Sequence, residues 1–515
     1  MKKRKLLTLV LMAGLIIALT FSSAVAEEFM VLGRSLKLFG FATQEFSYGF
    51  RDKYDTESNL NSALMNLFVE GDYQITKDLK FYGSGMLTVD WIYQLKGNHD
   101  SWNDQLFSKS KHNLNVDDKY WQLLKEANIT WTPKNFMFKA GKQIVSWGEL
   151  LAFRIMDQIN PLDTRRGFLD VEFETTIIPI WLFRAEYYLP IKPSWLQDLG
   201  FEFVYNPNAD FIPNQDIMTG NADGGIWAPN ITTSIPFPPF KAHLATTYAD
   251  ISTPKRWKEG NEFGFRAKAS IFDTIFTLNA FYGRNNSPVT LFTPPYISPV
   301  LPHIFASDGN LLLHPFQEGK YPLLKFVGVT IARDIPGLKS SFLGGVAPLV
   351  YLEALYAFDS TFTFTNPIVP VIQRFGKSDD LRTGINVAWK VKIPFLNPIS
   401  YFSFTGEFLY RRIMDHPSVE TVSDAGGTPL KENNYQTFLS VSTQYFHTKL
   451  TPSFTWIHDI NSNSNYFIPK LVYDLDNHWH FTLGAQLFKG AKEGQGLQLF
   501  DNKNQIFFKV AYKWG

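Results

Sequence analysis

Cysteine is absent from the 515 residues, so no disulfide, thiolate nucleophile or thiolate-ligated metal can enter the chemistry. An excess of charge of one sign is absent too. The 49 Lys and Arg stand against 48 Asp and Glu, for a formal net charge of +1, which removes any whole-chain basis for binding nucleic acid or strongly acidic partners. Beyond the N-terminal region no uninterrupted apolar run reaches the roughly 18 residues a spanning helix requires, so a helical membrane architecture is excluded. No phosphate-cradling glycine loop, nucleophile elbow or zinc-protease motif occurs either.

What is present begins with Lys2, Lys3, Arg4 and Lys5, followed by an uncharged apolar run from Leu6 to Phe21 and then Ala24, Val25 and Ala26. That order predicts a secretory signal peptide over residues 1–26, cleaved after Ala26; as a membrane anchor its core is short. The aromatic content is high, with 47 Phe, 22 Tyr and 13 Trp making 16% of the chain. A water-soluble protein must hide such rings in a core, whereas a transmembrane barrel displays them to lipid and at both interfaces.

Period-two alternation organises the rest, because successive strand residues face opposite sides of a sheet. Phe81, Gly83, Gly85, Leu87, Val89 and Trp91 alternate with Lys80, Tyr82, Ser84, Met86, Thr88 and Asp90; Phe263, Phe265, Ala267 and Ala269 alternate with Glu262, Gly264, Arg266 and Lys268. Such segments run about 9 to 15 residues against about 5 to 6 for an ordinary strand, which suits a tilted crossing of hydrocarbon. Eighteen strands are expected, near residues 36–48, 62–74, 79–93, 120–131, 136–146, 177–189, 200–205, 262–271, 275–283, 324–333, 342–358, 380–390, 400–411, 434–446, 450–457, 466–473, 478–488 and 505–514. Sixteen is the alternative, since the boundaries at 200–205 and 342–358 are soft.

Tight links such as residues 75–78, 132–135, 272–274, 447–449 and 474–477 alternate with long ones, as in outer-membrane barrels. The expected fold is therefore all-β: one transmembrane antiparallel β-barrel domain over residues 27–515, in a bacterial outer membrane. A soluble β-sandwich or β-helix also alternates, but it has no need of this connector parity. Ile506, Phe508, Val510, Tyr512 and Trp514 form a terminal apolar row of the kind that barrel-assembly machinery meets.

One outer connection breaks the pattern. Trp147 to Thr176 contains Leu150, Leu151, Phe153, Ile155, Met156, Ile159, Leu162 and Phe168 together with Arg154, Asp157, Asp163, Arg165 and Arg166. Apolar side chains need cover and ionic ones need water, so the segment is expected to fold inward as a constriction or plug, carried by Trp147, Glu149, Arg154, Asp157, Asn160, Asp163, Arg165 and Arg166. The other reading makes Trp147 an interface anchor, Asn160 and Pro161 a turn, and the ionic residues mutual partners.

The run GKQIVSWGE at Gly141–Glu149, then INPLD at Ile159–Asp163 and IIPIWLF at Ile177–Phe183, resembles the signature of a family of uncharacterised Gram-negative outer-membrane β-barrel proteins. The matching positions are Gly141, Gln143, Val145, Trp147, Gly148, Glu149, Ile159, Asn160, Pro161, Asp163 and Pro179, within about 40 residues. The resemblance implies a barrel and, through the family's association with steroid and other hydrophobic-compound metabolism, the passage of hydrophobic molecules. It lends no catalytic residues.

His478 and His480 share a strand face without a third ligand, and Asp157 and Asp163 have arginines nearby as better partners than calcium; no metal or other cofactor is expected. The proline tracts at Pro229–Phe240 and Ser287–His303 fall in the two longest outer loops and predict stiff lids, with Phe237, Phe240, Leu291, Phe292, Tyr296 and Ile297 at the mouth or packed loop on loop. Together these features lead to the expectation of a channel or transporter for passive passage of small, hydrophobic or aromatic solutes. Its lumen is expected to be lined by Lys80, Asp90, Arg266, Lys268, Arg382, Glu407 and Arg411, both signs together. The expected partners are outer-membrane lipid, the solute and the assembly machinery, and lipid-facing and subunit-facing rows look alike, so an oligomer fits as well as a monomer. Two other classes fit the same sequence: a non-conducting scaffold that binds a periplasmic or external partner, and a barrel-embedded lipid hydrolase whose Ser, His and acid converge without a local motif. The hydrolase is not the expectation.

Overall fold

The computed structural model describes residues 27–50, 60–95, 115–117, 120–163, 166, 176–190, 193, 195–209, 234–237, 240–244, 248–293, 311–313, 316–339, 341–368, 372–424, 429–491, 496–500 and 503–515. The expected signal peptide lies outside them. Eighteen of the described strands form one wall: β1 Arg34–Gly49, β2 Leu60–Thr76, β3 Leu79–Asp90, β4 Leu124–Trp131, β5 Phe136–Gln143, β6 Ile180–Tyr188, β7 Leu196–Asn206, β8 Glu262–Ile271, β9 Thr274–Arg284, β10 Leu323–Asp334, β11 Leu349–Thr365, β12 Gln373–Val391, β13 Phe402–Ile413, β14 Asn433–Ser442, β15 Leu450–Asp459, β16 Ser464–Asp474, β17 Trp479–Gly490 and β18 Gln505–Trp514. Each is antiparallel to its neighbour in sequence, and β18 pairs with β1 from Gly40↔Trp514 to Gly49↔Gln505. The sheet therefore has no edge within the wall. Closure is what hydrocarbon demands, because each unpaired backbone group there costs several kcal/mol, on the order of the full transfer penalty of an amide.

The alternation sorts side chains as lipid and water require. Phe81, Phe203, Phe265, Leu278, Val327, Phe408, Leu483 and Phe508 are exposed on the outer surface, while their neighbours Ser84, Thr277, Asn279, Thr330 and Glu407 are buried on the inner one. Near the short turns Trp131, Phe136, Tyr188, Trp195 and Trp479 are exposed, and Trp131 and Phe136 each stack on Phe138, giving the aromatic girdle of a membrane interface. A closed wall with an apolar outside and short turns at one end is that of a bacterial outer-membrane protein.

Local chemistry sets the turns. Between β8 and β9 only Phe272 and Asp273 intervene, at φ 46° and 59°, the left-handed pair of a type I′ hairpin whose twist matches the flanking strands. Strand limits shift most at two places. The strand expected at 342–358 is β11, beginning at Leu349 and continuing to Thr365 past a bulge between Ala357 and Ser360; its partner β12 starts at Gln373, earlier than the expected 380. The bulge inserts a residue and inverts the alternation, so the pattern read along the chain breaks at Phe358.

At the other end, two long connections are tied together. Tyr248–Ser252, between β7 and β8, runs parallel to Phe316–Lys320, between β9 and β10, and Phe316–Lys320 is antiparallel to Val289–Thr293. Phe240–Leu244 similarly joins Leu311–Leu313 and Ser234–Phe237. Apart from Leu291, the side chains expected at the mouth (Phe237, Phe240, Phe292, Tyr296 and Ile297) lie outside the described ones.

Candidate functional site: a segment held inside the barrel

After β5 the chain leaves the sheet and lies against the inner wall. Val145, Trp147, Ile155, Met156 and Ile159 are buried in one cluster with Ile180 and Leu182 of β6, Val204 of β7, Phe281 of β9, Leu324 and Phe326 of β10, and Leu355 and Ala357 of β11. The inner wall is shaped to receive them. A Cβ on Gly264 of β8 would come 2.6 Å from Trp147 Cη2, one on Gly328 of β10 2.2 Å from Met156 Cε, and one on Gly384 of β12 2.6 Å from Leu150 Cδ1. With the contacts to Glu407 of β13 below, residues 145–160 meet every strand from β6 to β13, eight of the eighteen.

Polar contacts then fix the backbone. Glu353 of β11 accepts from the backbone N–H groups of Glu149, Leu150 (3.1 Å) and Met156 (3.2 Å). Glu407 accepts from Leu151 (2.6 Å), Ala152 (2.9 Å) and Phe153 (3.3 Å), and Asn386 donates to it at 2.6 Å. Both carboxylates are almost fully buried, where charge-assisted bonds from N–H groups are the means of satisfying them. Within the segment, Asp157 Oδ1 accepts from Ser146 Oγ and from the N–H groups of Trp147 and Gly148 at 2.7–3.0 Å. Asn160 accepts from Val145 N–H (2.8 Å) and donates to the carbonyls of Gln143 (3.2 Å) and Ile178 (3.0 Å), pinning both ends.

The expected constriction residues therefore divide. Trp147 is 1% exposed and donates from Nε1 to Glu202 of β7 at 3.0 Å, so it packs against the inner wall and is not an interface anchor. Glu149 pairs with Arg266 at 3.7 Å; burial pushes its carboxyl pKa up, while Arg266 and Lys268 hold it down. Arg154 donates to the Asn160 carbonyl at 2.9 Å. Asp163 is bound through its N–H to Thr176 O at 2.7 Å. Arg166 lies apart from this group, 3.9 Å from Asp117 in a buried pair. Arg165 is outside the described residues.

The expected lumen residues likewise separate by exposure. Lys268 is exposed on the inner face and Arg266 reaches the Ser146 carbonyl at 3.4 Å. Lys80 pairs with Asp72 near the short turns. Asp90 points inward but is covered, accepting from Ser62 Oγ (2.9 Å) and from the N–H groups of Ala63 (2.9 Å) and Ile92 (3.2 Å). Arg382 and Arg411 both converge on buried Asp380, and Arg411 also reaches Asp424 at 2.9 Å. His480 pairs with Asp474 at 2.5 Å, whereas His478 turns to the Lys513 carbonyl at 2.8 Å. Among the described residues no group of three or more His, Asp or Glu has the arrangement to hold a metal ion.

Sequence reading missed Glu202, Glu353, Asn386 and Asp380. For Glu353 a signal existed: it is the one charge in the apolar stretch VYLEALYAF, Val350–Phe358, on the face of Leu355 and Ala357.

A family model described as "Protein of unknown function (DUF1302)" matches residues 45–514. No curated protein matches the chain. Among solved structures, the chain is similar to OmpT (in-vitro folded), an outer membrane protein of Vibrio cholerae, at 9% identity over 95% of this chain and 100% of that one, with a TM-score of 0.40. It is also similar to Salmonella typhi OmpF in complex with daunomycin, at 9% identity, 95% and 100% coverage and a TM-score of 0.38. A third is the outer membrane channel DcaP of Acinetobacter baumannii, at 10% identity, 95% and 99% coverage and a TM-score of 0.38.

Proposed function

The chain belongs to the DUF1302 family, and from that premise and the geometry above we propose that it is a passive outer-membrane channel for small hydrophobic or aromatic solutes, narrowed by residues 144–163. The observation that carries the reading is the pair of inner-wall carboxylates, Glu353 and Glu407, that bind six backbone N–H groups of one segment. A segment bound this way along eight strands narrows the lumen permanently without sealing its mouth, which is how wide barrels set the size of what passes. Glu149, Arg266 and Lys268 put both signs of charge beside it, so weak ion selectivity is expected.

Two features support an apolar solute. Leu151, between two residues bound to Glu353 and Glu407, is 74% exposed and offers a greasy contact in the passage. The association with steroid and other hydrophobic compounds implied by the GKQIVSWGE…INPLD resemblance points the same way.

Planar-bilayer recording with the purified protein tests the reading. Small steps are expected from the intact chain and larger ones after excision of residues 147–176, with aromatic solutes entering proteoliposomes faster than sugars of equal size. No conductance before or after excision would favour the scaffold, and an esterase rate abolished by one serine substitution would favour the hydrolase.

A further inference from the structure

The outer surface of the wall carries a second site, unrelated to the lumen. Where β9 to β12 leave the membrane at the long-loop end, a cleft of about 400 Å³ opens, lined by four cationic side chains, Arg284, Lys320, Lys325 and Lys377, and two carboxylates, Glu259 and Asp359. Strand parity fixes its direction. Arg284 is two residues beyond Tyr282 and pairs in register with Leu323, and Lys325 is two residues before Val327; Tyr282, Leu323 and Val327 are all exposed on the lipid-facing row. The cleft therefore sits directly above the apolar belt, at the height of the outer-leaflet headgroups.

Its charges are incompletely answered by the described residues. Lys325 is bound to Asp359 at 2.8 Å, and Arg284 Nη1 donates to the Tyr321 carbonyl at 3.1 Å. Arg284 Nε, however, is buried and has no hydrogen-bond partner among the described residues, a costly omission for a guanidinium unless something else accepts from it. Lys320 Nζ lies 4.2 Å from the centroid of the Phe375 ring, and both Lys320 and Lys377 are exposed. A planar donor fork between flexible ammonium groups is suited to a phosphate, whose oxygens accept from several donors together. A phosphate carried on a lipid would bring its acyl chains down onto Tyr282, Leu323 and Val327.

We propose that this cleft binds the phosphorylated headgroup of an outer-leaflet glycolipid, with Arg284, Lys320 and Lys377 on the phosphate and the exposed row below on the acyl chains. The site depends only on the orientation of the barrel and is independent of what the lumen passes.

The test titrates the full-length protein in neutral detergent with a bis-phosphorylated, acylated glucosamine disaccharide, followed by native mass spectrometry. The same lipid after dephosphorylation, and inorganic phosphate alone, form the other two arms. Retention of the phosphorylated lipid is expected, falling at least about tenfold for the dephosphorylated lipid and for K320A/K377A, in line with the attraction each surface cation adds at an anionic leaflet. Both lysines are solvent-facing, so the double variant should keep its heat-modifiable migration and its bilayer conductance; R284Q supplies a second, independent variant. Equal retention of the two lipids, or unchanged retention by both variants, would overturn the proposal. So would competition by inorganic phosphate as strong as that by the lipid, which would make the ligand a free anion.

Discussion

At the residue scale, the unusual groups are the carboxylates of Glu353 and Glu407. Each is buried in the wall and each accepts from three N–H groups of the inward segment. Glu353→Ala removes the acceptor and leaves those N–H groups facing an apolar wall, at about 1–3 kcal/mol for each one that stays buried. Releasing the segment to water is the cheaper response, and the barrel ladder does not depend on it. Amide exchange at Leu150 and Met156 is expected to accelerate by at least about tenfold, single-channel steps should grow, and Glu353→Gln, which keeps a carbonyl in place, should fall between. Unaltered exchange at both amides in Glu353→Ala would show that these bonds do not hold the segment.

At the scale of elements, the strands were legible because one face of each meets lipid and the other water. β8 follows its alternation from Glu262 to Ile271 without a break, and its expected limits match the observed ones. β11 was misread because its bulge inverts the pattern in mid-strand. The inward segment was legible as a contradiction, an apolar set in a loop position. Its anchors were not, since Glu149 and Glu353 lie 204 residues apart in the chain, and only closure of the sheet brings them together. The inward glycines Gly264, Gly328 and Gly384 read as neutral strand residues, although each leaves room for one side chain of the segment.

The short turns offer a pH prediction. Asp476, in the exposed link between β16 and β17, accepts from the N–H groups of Trp479 and His478, both at 2.8 Å, and these bonds hold its carboxyl below the ordinary Asp range. Its contribution is complete above the ordinary Asp pKa and is lost as pH falls through the lowered one. Exchange protection of the His478 and Trp479 amides, normalised for intrinsic rates, should hold down to about pH 4 and fall only below it. Asp476→Asn should show a weaker protection with no such step.

For the whole molecule, closure is the decisive event, and it occurs at the β18–β1 seam. A Cβ on Gly40 would lie 2.3 Å from Trp514 Cζ2 and 2.4 Å from the backbone oxygen of Phe68. The ring could move, but the carbonyl of β2 belongs to the ladder and cannot. Gly40→Val should therefore prevent closure and abolish the heat-modifiable folded band, whereas Gly406→Val, at a position with nothing within 4 Å of the added atom, should fold normally. Similar yields of folded protein from the two variants would mean that the seam tolerates displacement.

The way Glu353 and Glu407 grip main-chain groups has an evolutionary corollary. Main-chain N–H groups are common to every amino acid except proline, so the hold of Glu407 is blind to the side chains at residues 151–153. Descendants of this sequence are free to exchange those side chains and retune what slips past, while the buckle itself stays shut.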